Sequence, residues 1–529
     1  MDFADISPRI LQLGLTGLLG AGWAAQWLTR RRPGARLRQL LPALIGAYAL
    51  LQIGLVVYLW INHAAFPLNL EAMELTVLAT TRRVLAGLPI YVPPSAAFTP
   101  LAYNPLFYFL AVPFTWVFGP TLLAMRLEAI AGTLGCGAVI FLAVRRETSS
   151  AWWAILAVGL FAAAYRSMDT YLDNAHADSW MLFTALFAAY LISLQRSRAA
   201  NLLGITIAAA SFWFKQPGAA FTVGLVVFLT VREGTRAAWP YWLAAILLGP
   251  VLFGFAPAGW AGPLLHEYTW VIPRQWLSFN LGTLRRLVEY FGRNFALLAA
   301  SSGIGWLASL RKSQLRSVWF FLLPFAALTA LSGAMDSESN NNVFIPLAAW
   351  LILTGVIALH RSTDGVSWIG RWNLPSLVVG ASFVLLVFNP LTVIVSSHAG
   401  EAYTDLQGYL RSLDGAVYAP WIGPLQDGFE FSPAIHWVPM TDLVRGAGKD
   451  LANDPTIRSL MDPVTHPVGR AYLLTNFPLE RDSAVSFLGD NYALASDLGP
   501  RFSALSALPK RYSLAWPRYL YVYRGAPPG

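Results

Sequence analysis

The sequence predicts an all-α, multi-pass transmembrane helical bundle of about 11–13 helices, followed by a C-terminal soluble α/β domain. Three observations predict it. The 529-residue chain is 56% hydrophobic and 12% charged, with a mean hydropathy of +0.51, too little charge to cover a soluble protein of this length. Its apolar runs are roughly 15 to 23 residues long and continuous in Leu, Ala and Val, where a transmembrane barrel would show alternating strands of about ten residues. From residue 397 the pattern changes to short strand-like runs between Asp, Pro and Gly turns.

Charge orders these elements. The net charge of +9 sits mostly in short loops between apolar runs, which favours positive-inside topology over nucleic-acid binding. The strongest cluster is T-R-R-R-P-G-A-R-L-R at Thr29 to Arg38. It is repeated by Arg145 and Arg146, Arg196 and Arg198, Arg232 and Arg236, Arg311 with Lys312 and Arg316, and Arg361 with Arg371. These loops are placed on the cytoplasmic face.

The spans follow at 8–28, 40–62, 121–144, 151–167, 179–195, 201–214, 219–231, 240–257, 295–310, 318–333, 343–360 and 374–396. The first lacks a basic flank before it and is expected to be a retained helix rather than a cleaved signal peptide. The two spans around Lys215 to Gly218 are short, and read either as a pair or as one long helix kinked at Pro217, which would invert everything downstream. This organisation divides the chain into a transmembrane domain, 1–396, with outer loops at 63–120, 168–178, 258–294 and 334–342, and an outer soluble domain, 397–529. The Ala/Arg/Leu-rich, cysteine-poor composition points to a prokaryotic inner (plasma) membrane, the outer loops then being periplasmic. The single cysteine, Cys136, excludes an intrachain disulfide and a cysteine-based metal site.

Acids, histidines and polar aromatics gather in the outer loops: Glu71, Glu74, Asp169, Asp173, His176, Asp178, His266, Glu267, Arg274, Asp336 and Glu338. Chemistry therefore faces outward. No Walker-type phosphate loop is present, so an enzyme on that face needs an activated, membrane-borne donor. Glu71 and Glu74 are one helical turn apart and can share a face. Ionisable residues at the mouth of a bundle are costly and usually functional.

The run E-A-M-E-L-T-V-L-A-T-T-R-R-V-L-A-G-L-P-I-Y-V-P-P from Glu71, then F-T-P-L-A-Y-N-P-L-F-Y-F-L and Arg126 inside the next helix, resembles the first outer loop of GT-C-type polyprenyl-phosphate-sugar-dependent glycosyltransferases. A-H-A-D-S-W at Ala175 to Trp180, F-W-F-K-Q-P at Phe212 to Pro217 and N-N-V-F-I-P-L at Asn341 to Leu347 extend the resemblance in order over most of residues 40–360. Aminoarabinose and protein O-mannosyl transferases are relatives of this kind.

The resemblance implies a GT-C-like catalytic domain that transfers a hexosyl or pentosyl group from a polyprenyl-phosphate donor to a lipid, glycan or protein acceptor, in cell-envelope glycan biosynthesis. It implies that the acid after the second helix is the general base, with Glu74 first, Glu71 second and Asp178 matching the second-loop acid. The family often has Gly after the first-loop acid, where Leu75 stands here, and tends to carry Arg where His176 stands. Lys215, Arg274 and Arg126 are the candidate cations for the donor phosphate. Snorkelling explains Lys215 equally well, and an aromatic interfacial belt explains the surroundings of Arg274. Arg285 and Arg286 read as part of a structural interfacial helix, and His63 as an interfacial residue.

His176 and Asp178, with Glu71 and Glu74, could bind a divalent cation, the oxygens suiting Mg²⁺ or Mn²⁺ and the imidazole extending the choice to Mn²⁺ or Zn²⁺, against the plainer reading of solvated aspartates and an N-cap at Asp178. In the C-terminal domain, G-A-V-Y-A-P-W-I, A-Y-L-L-T-N-F and Y-L-Y-V-Y-R read as strands and T-D-L-Q-G-Y-L-R-S-L as a helix. Trp421, Trp437 and Tyr418 there read either as exposed sugar-stacking rings or as core. The alternative function is a membrane transporter or lipid flippase, which would pair charges near the midplane; their gathering in loops on one face disfavours it.

Overall fold

The computed structural model describes residues 7–29, 39–311, 317–336, 338–365, 373–427, 429–445, 454–482, 485–506 and 515–525. The basic cluster at 30–38, Lys312, Arg316 and Arg371 lie outside the described residues. Among the described residues, four helices are each long and apolar enough to cross a bilayer: Leu40–Ala64, Leu122–Thr148, Thr235–Ala258 and Asn341–Ser362. Shorter apolar helices pack among them, including Ala151–Ala163, Asp178–Ser193, Arg198–Phe214, Val318–Ala334 and Leu374–Leu385. The protein is an integral membrane protein.

The segment around Pro217 is a helical hairpin. Arg198–Phe214 ends at Lys215, a 3-10 turn covers Gln216–Gly218, and Ala219–Glu233 runs back alongside. Asn201, at the start of the first helix, donates to Glu233, at the end of the second, at 2.9 Å. The turn requires glycine, since a Cβ on Gly218 would lie 2.3 Å from the backbone of Ser211. The downstream order of faces is therefore not inverted. On one face Arg361 meets Glu147 at 2.5 Å and Arg146 reaches the Ser193 carbonyl, so several of the basic turns lie together. On the opposite face lie 63–105, 164–177, 215–218, 259–280, 335–336 and 338–344.

Two expectations change. Residues 63–120 are not one loop, because Glu74–Leu85 and Leu106–Phe118 are helical within it. The last helix ends at Leu385, not 396: Asn389 caps a 3-10 turn begun by Pro390, and proline disfavours helix in the residue before it. The capped helix Leu281–Asn294, with Asn280 and Thr283 forming a reciprocal capping box, is strongly amphipathic, as an interfacial helix must be.

Beyond residue 397 the helix Ala399–Arg411 leads into a four-stranded sheet of β1 (Ala416–Tyr418), β2 (Ala471–Thr475), β3 (Tyr492–Asp497) and β4 (Tyr519–Tyr523), in the order β1-β2-β4-β3. β1 and β2 are parallel and the other pairs antiparallel. Three strands coincide with the expected runs, while β3 does not stand out in sequence because only its first residue is buried. This part is bound to the bundle by polar contacts: Arg82 donates to the carbonyls of Leu425 and Gln426, Asn69 to that of Ile422, and the Leu122 amide to the Gln426 side chain.

Candidate active site

A cavity of about 860 Å³ lies between the bundle and the C-terminal part. Its bundle side carries Glu71, Tyr103, Tyr171, Lys215, Arg274 and Asn342; its other wall carries Trp421, Trp437, Asp442 and Arg445. Residues as far apart in sequence as Glu71 and Arg445 thus meet around one space.

Glu71 and Glu74 sit differently. Glu74 is fully buried and grips Arg126 in a bidentate pair, Nε to Oε1 at 2.9 Å and Nη2 to Oε2 at 2.7 Å. The amides of Ala175 and Leu70 take its remaining acceptor positions at 2.9 and 2.6 Å. Arg126 in turn donates to the carbonyls of His63, Phe66 and Leu68, so the pair fastens the chain leaving helix Leu40–Ala64. Neither residue lines the cavity. Burial pushes the Glu74 carboxyl up, and the Arg126 guanidinium outweighs it, leaving the group below its ordinary value.

Glu71 lines the cavity and has lighter support: the Met73 amide at 2.9 Å and the Tyr171 hydroxyl at 3.1 Å. Burial raises its pKa, and His176, though it acts in the opposite sense, does not cancel the rise. No cation bonds to it among the described residues, which sets it apart from Glu74.

Asp178 is not a cap. Its Oδ1 accepts from Lys215 Nζ at 2.8 Å and its Oδ2 from Asn342 at 3.0 Å, with His176 Nδ1 against the same oxygen. Lys215, the residue that ends helix Arg198–Phe214, does not snorkel to the interface: it is 8% exposed, with its ammonium 5.7 Å from the Tyr103 ring centroid. His176 packs edge-on to both Tyr103 and Tyr171, and its buried Nε2 has no hydrogen-bond partner among the described residues. Among the described residues no group of three or more His, Cys, Asp or Glu is placed to hold a metal ion. The oxygens of Asp178 already serve Lys215 and Asn342, so His176 and Asp178 do not fit a divalent cation as they stand.

Arg274 lines the cavity, is exposed, and makes no ion pair among the described residues. Asp173 and His63 belong to a separate buried network: His63 Nδ1 meets Asp173 at 2.7 Å, its Nε2 meets the Val393 carbonyl at 2.5 Å, and Tyr165 donates to Asp173. His63 is therefore a buried tie, not an interfacial residue. Asp169 accepts from the backbone and side chain of Asn341.

On the opposite wall, Arg445 and Asp442 carry no signal in the sequence. Arg445 stacks 4.1 Å over Trp276 and bridges Asp336 and Glu338, at 3.1 and 3.2 Å, with Asp442 at 3.7 Å. Burial raises Asp442 to about 7 despite Arg445. Trp421 and Trp437 are buried, not exposed, though both contribute to the wall; the Trp421 indole donates to Asp482. Tyr103 and Tyr171 also went unassigned, since a tyrosine in an aromatic outer loop carries no sequence signal of its own.

No family model and no curated protein matches the chain. Solved structures do match. ArnT from Cupriavidus metallidurans in the apo state is similar at 11% identity and a TM-score of 0.53, over 90% of this chain and 98% of that one. The same protein bound to undecaprenyl phosphate is similar at 11% identity and a TM-score of 0.51, over 91% and 99%. The arabinosyltransferase EmbB from Mycobacterium smegmatis is matched at 16% identity and a TM-score of 0.40, over 80% of this chain and 39% of that one. The likeness to ArnT is one of fold: a GT-C-like transmembrane helical bundle followed by a small C-terminal sheet.

Proposed function

We propose that this protein is a GT-C-type glycosyltransferase that moves a sugar from a polyprenyl-phosphate-linked donor to an acceptor hydroxyl or amine, on the outer face of the membrane. The observation that carries the reading is the convergence of Glu71, which pairs with no cation among the described residues, and two cations, Lys215 and Arg274, on one cavity beside the bundle. The fold shared with ArnT, a protein solved with undecaprenyl phosphate bound, supports the choice of donor.

In this reading the acceptor lies between Glu71 and the anomeric carbon. Glu71 takes the acceptor proton as the new glycosidic bond forms, and the anomeric carbon–oxygen bond breaks with its electron pair leaving on the phosphate. Lys215 and Arg274 offset the charge gathering on that phosphate, so the leaving group needs no proton. Asp178 is a positioning residue here: with Asn342 it holds Lys215 at the cavity wall. Glu74 and Arg126 set the course of the loop that presents Glu71. The Trp421 and Trp437 wall, brought by the C-terminal part, faces the same space and is suited to the acceptor side.

The test is transfer from a panel of radiolabelled polyprenyl-phosphate sugars by the purified protein in lipid, with candidate lipid, glycan and peptide acceptors. Turnover with one donor is expected, with donor affinity weakened in Arg274→Ala. Donor affinity left unchanged by both Arg274→Ala and Lys215→Ala removes these cations from the phosphate site. Absence of donor binding across the panel favours the transporter reading.

A further inference from the structure

A second cavity, of about 740 Å³, lies on the far side of the segment 339–341 from the first, and Ser339 lines both. Four guanidiniums line it, Arg166, Arg285, Arg286 and Arg293, against two carboxylates, Asp169 and Glu289. The carboxylates do not neutralise it. Glu289 holds Arg285 at 2.7 Å and touches Arg293 at 3.6 Å, while Asp169, engaged by Asn341, is 3.9 Å from Arg166. Arg286 donates to the carbonyls of Asp336, Ser339 and Asn340, which fixes the wall between the two cavities.

The position of the groove says what would fill it. Three of its arginines lie on the amphipathic helix Leu281–Asn294, whose Leu281, Leu284 and Val288 are 81%, 43% and 72% exposed. Leu385–Phe388, at the end of the last apolar helix, close the other side. A helix with arginines toward a groove and exposed leucines beside them lies at a membrane interface. We propose that this groove binds the phosphate of an anionic membrane lipid, with the acyl chains lying along Leu281, Leu284 and Val288. Guanidiniums in a cluster are the groups suited to phosphate oxygens, which they bind in pairs. The site is separate from the donor cavity and does not depend on the transferase reading.

The full chain is reconstituted in nanodiscs of equal phosphatidylglycerol and phosphatidylcholine, and the lipids retained on the released protein are counted by native mass spectrometry. Wild type should retain phosphatidylglycerol in preference. Arg285 and Arg293 side chains are 78% and 77% exposed, so the double variant Arg285→Gln/Arg293→Gln should fold normally. Its preference should drop roughly 30-fold, the sum expected for two basic side chains near an anionic surface. Arg166→Gln, on the opposite wall, should weaken it too, whereas removal of Arg470 and Arg501, exposed basic residues elsewhere, should not. No preference in wild type, or an equal loss on removing Arg470 and Arg501, overturns the proposal. So does binding of inorganic phosphate alone with the same arginine dependence and no retained lipid, which makes the groove a site for free phosphate.

Discussion

Two places on one short stretch of chain, three residues apart, show how little a carboxylate's position in sequence says about its work. At Glu74 the side chain is closed off with Arg126, both oxygens are fully engaged, and the charge is spent on holding the loop. At Glu71 the side chain reaches the cavity with one amide and one hydroxyl for support, and burial raises its pKa. Burial is common to both. The difference is the presence of a cation, and it separates an anchor from the carboxylate proposed here as the base.

The sharpest way to break this comparison is to remove the anchor. Glu74→Gln leaves the Arg126 charge buried without compensation, which typically costs about 3–5 kcal/mol. The expected result is a large drop in melting temperature in detergent, with transfer lost because the loop is lost. The double variant Glu74→Gln/Arg126→Met should recover much of that stability, since a buried ion pair replaced by apolar volume is often neutral. A Glu74→Gln protein that melts like wild type yet is inactive would reverse the assignment and make Glu74 the base.

Glu71→Gln should do the opposite: a melting temperature near wild type, with transfer reduced about 10²- to 10⁴-fold, the usual contribution of a general base. The base must be deprotonated to act, and its folded pKa is raised above the ordinary value of 4.5. Transfer by wild type should therefore rise with pH through a limb that lies above the ordinary glutamate range, and residual turnover in Glu71→Gln should lack that limb. A limb that survives the substitution assigns it to another group.

These two glutamates also show where sequence reading stops. The span pattern, the basic turns and the strand-like runs after 397 are local, and the hydropathy period that produces them is visible in any window. The order of the motifs around Glu71, Asp178, Lys215 and Asn342 was legible as well, and the structure brings all four to one place. The pairing of Arg126 with Glu74 was not, because an arginine inside an apolar helix looks the same whether it meets a carboxylate or a phosphate. Tyr171, Arg445 and Asp442 come from segments with no shared pattern, and only the packing of the C-terminal part over the bundle makes them neighbours. The end of the last helix at Leu385 was obscured by an apolar run that continues past Asn389 and Pro390.

Asp442, on the opposite wall, extends the comparison to a third case: a buried carboxyl with a cation at 3.7 Å, shared with two competing acids. Sharing is the reason Arg445 does not do for Asp442 what Arg126 does for Glu74. Burial raises Asp442 from 3.8 to about 7, so between those values the folded protein keeps a proton that the unfolded chain has released. Stability therefore falls as pH rises across that window, and the deficit is complete above about pH 7, at most about 4 kcal/mol for this one group. Asp442→Asn stays neutral throughout. Its melting temperature should match wild type near pH 4 and exceed it by a margin that grows to about pH 7 and then holds, since Arg445 keeps Asp336 and Glu338 as partners. A variant that is less stable than wild type at pH 8 would mean that Arg445 binds Asp442 in preference to the other two, and that this carboxyl belongs with Glu74 as an anchor.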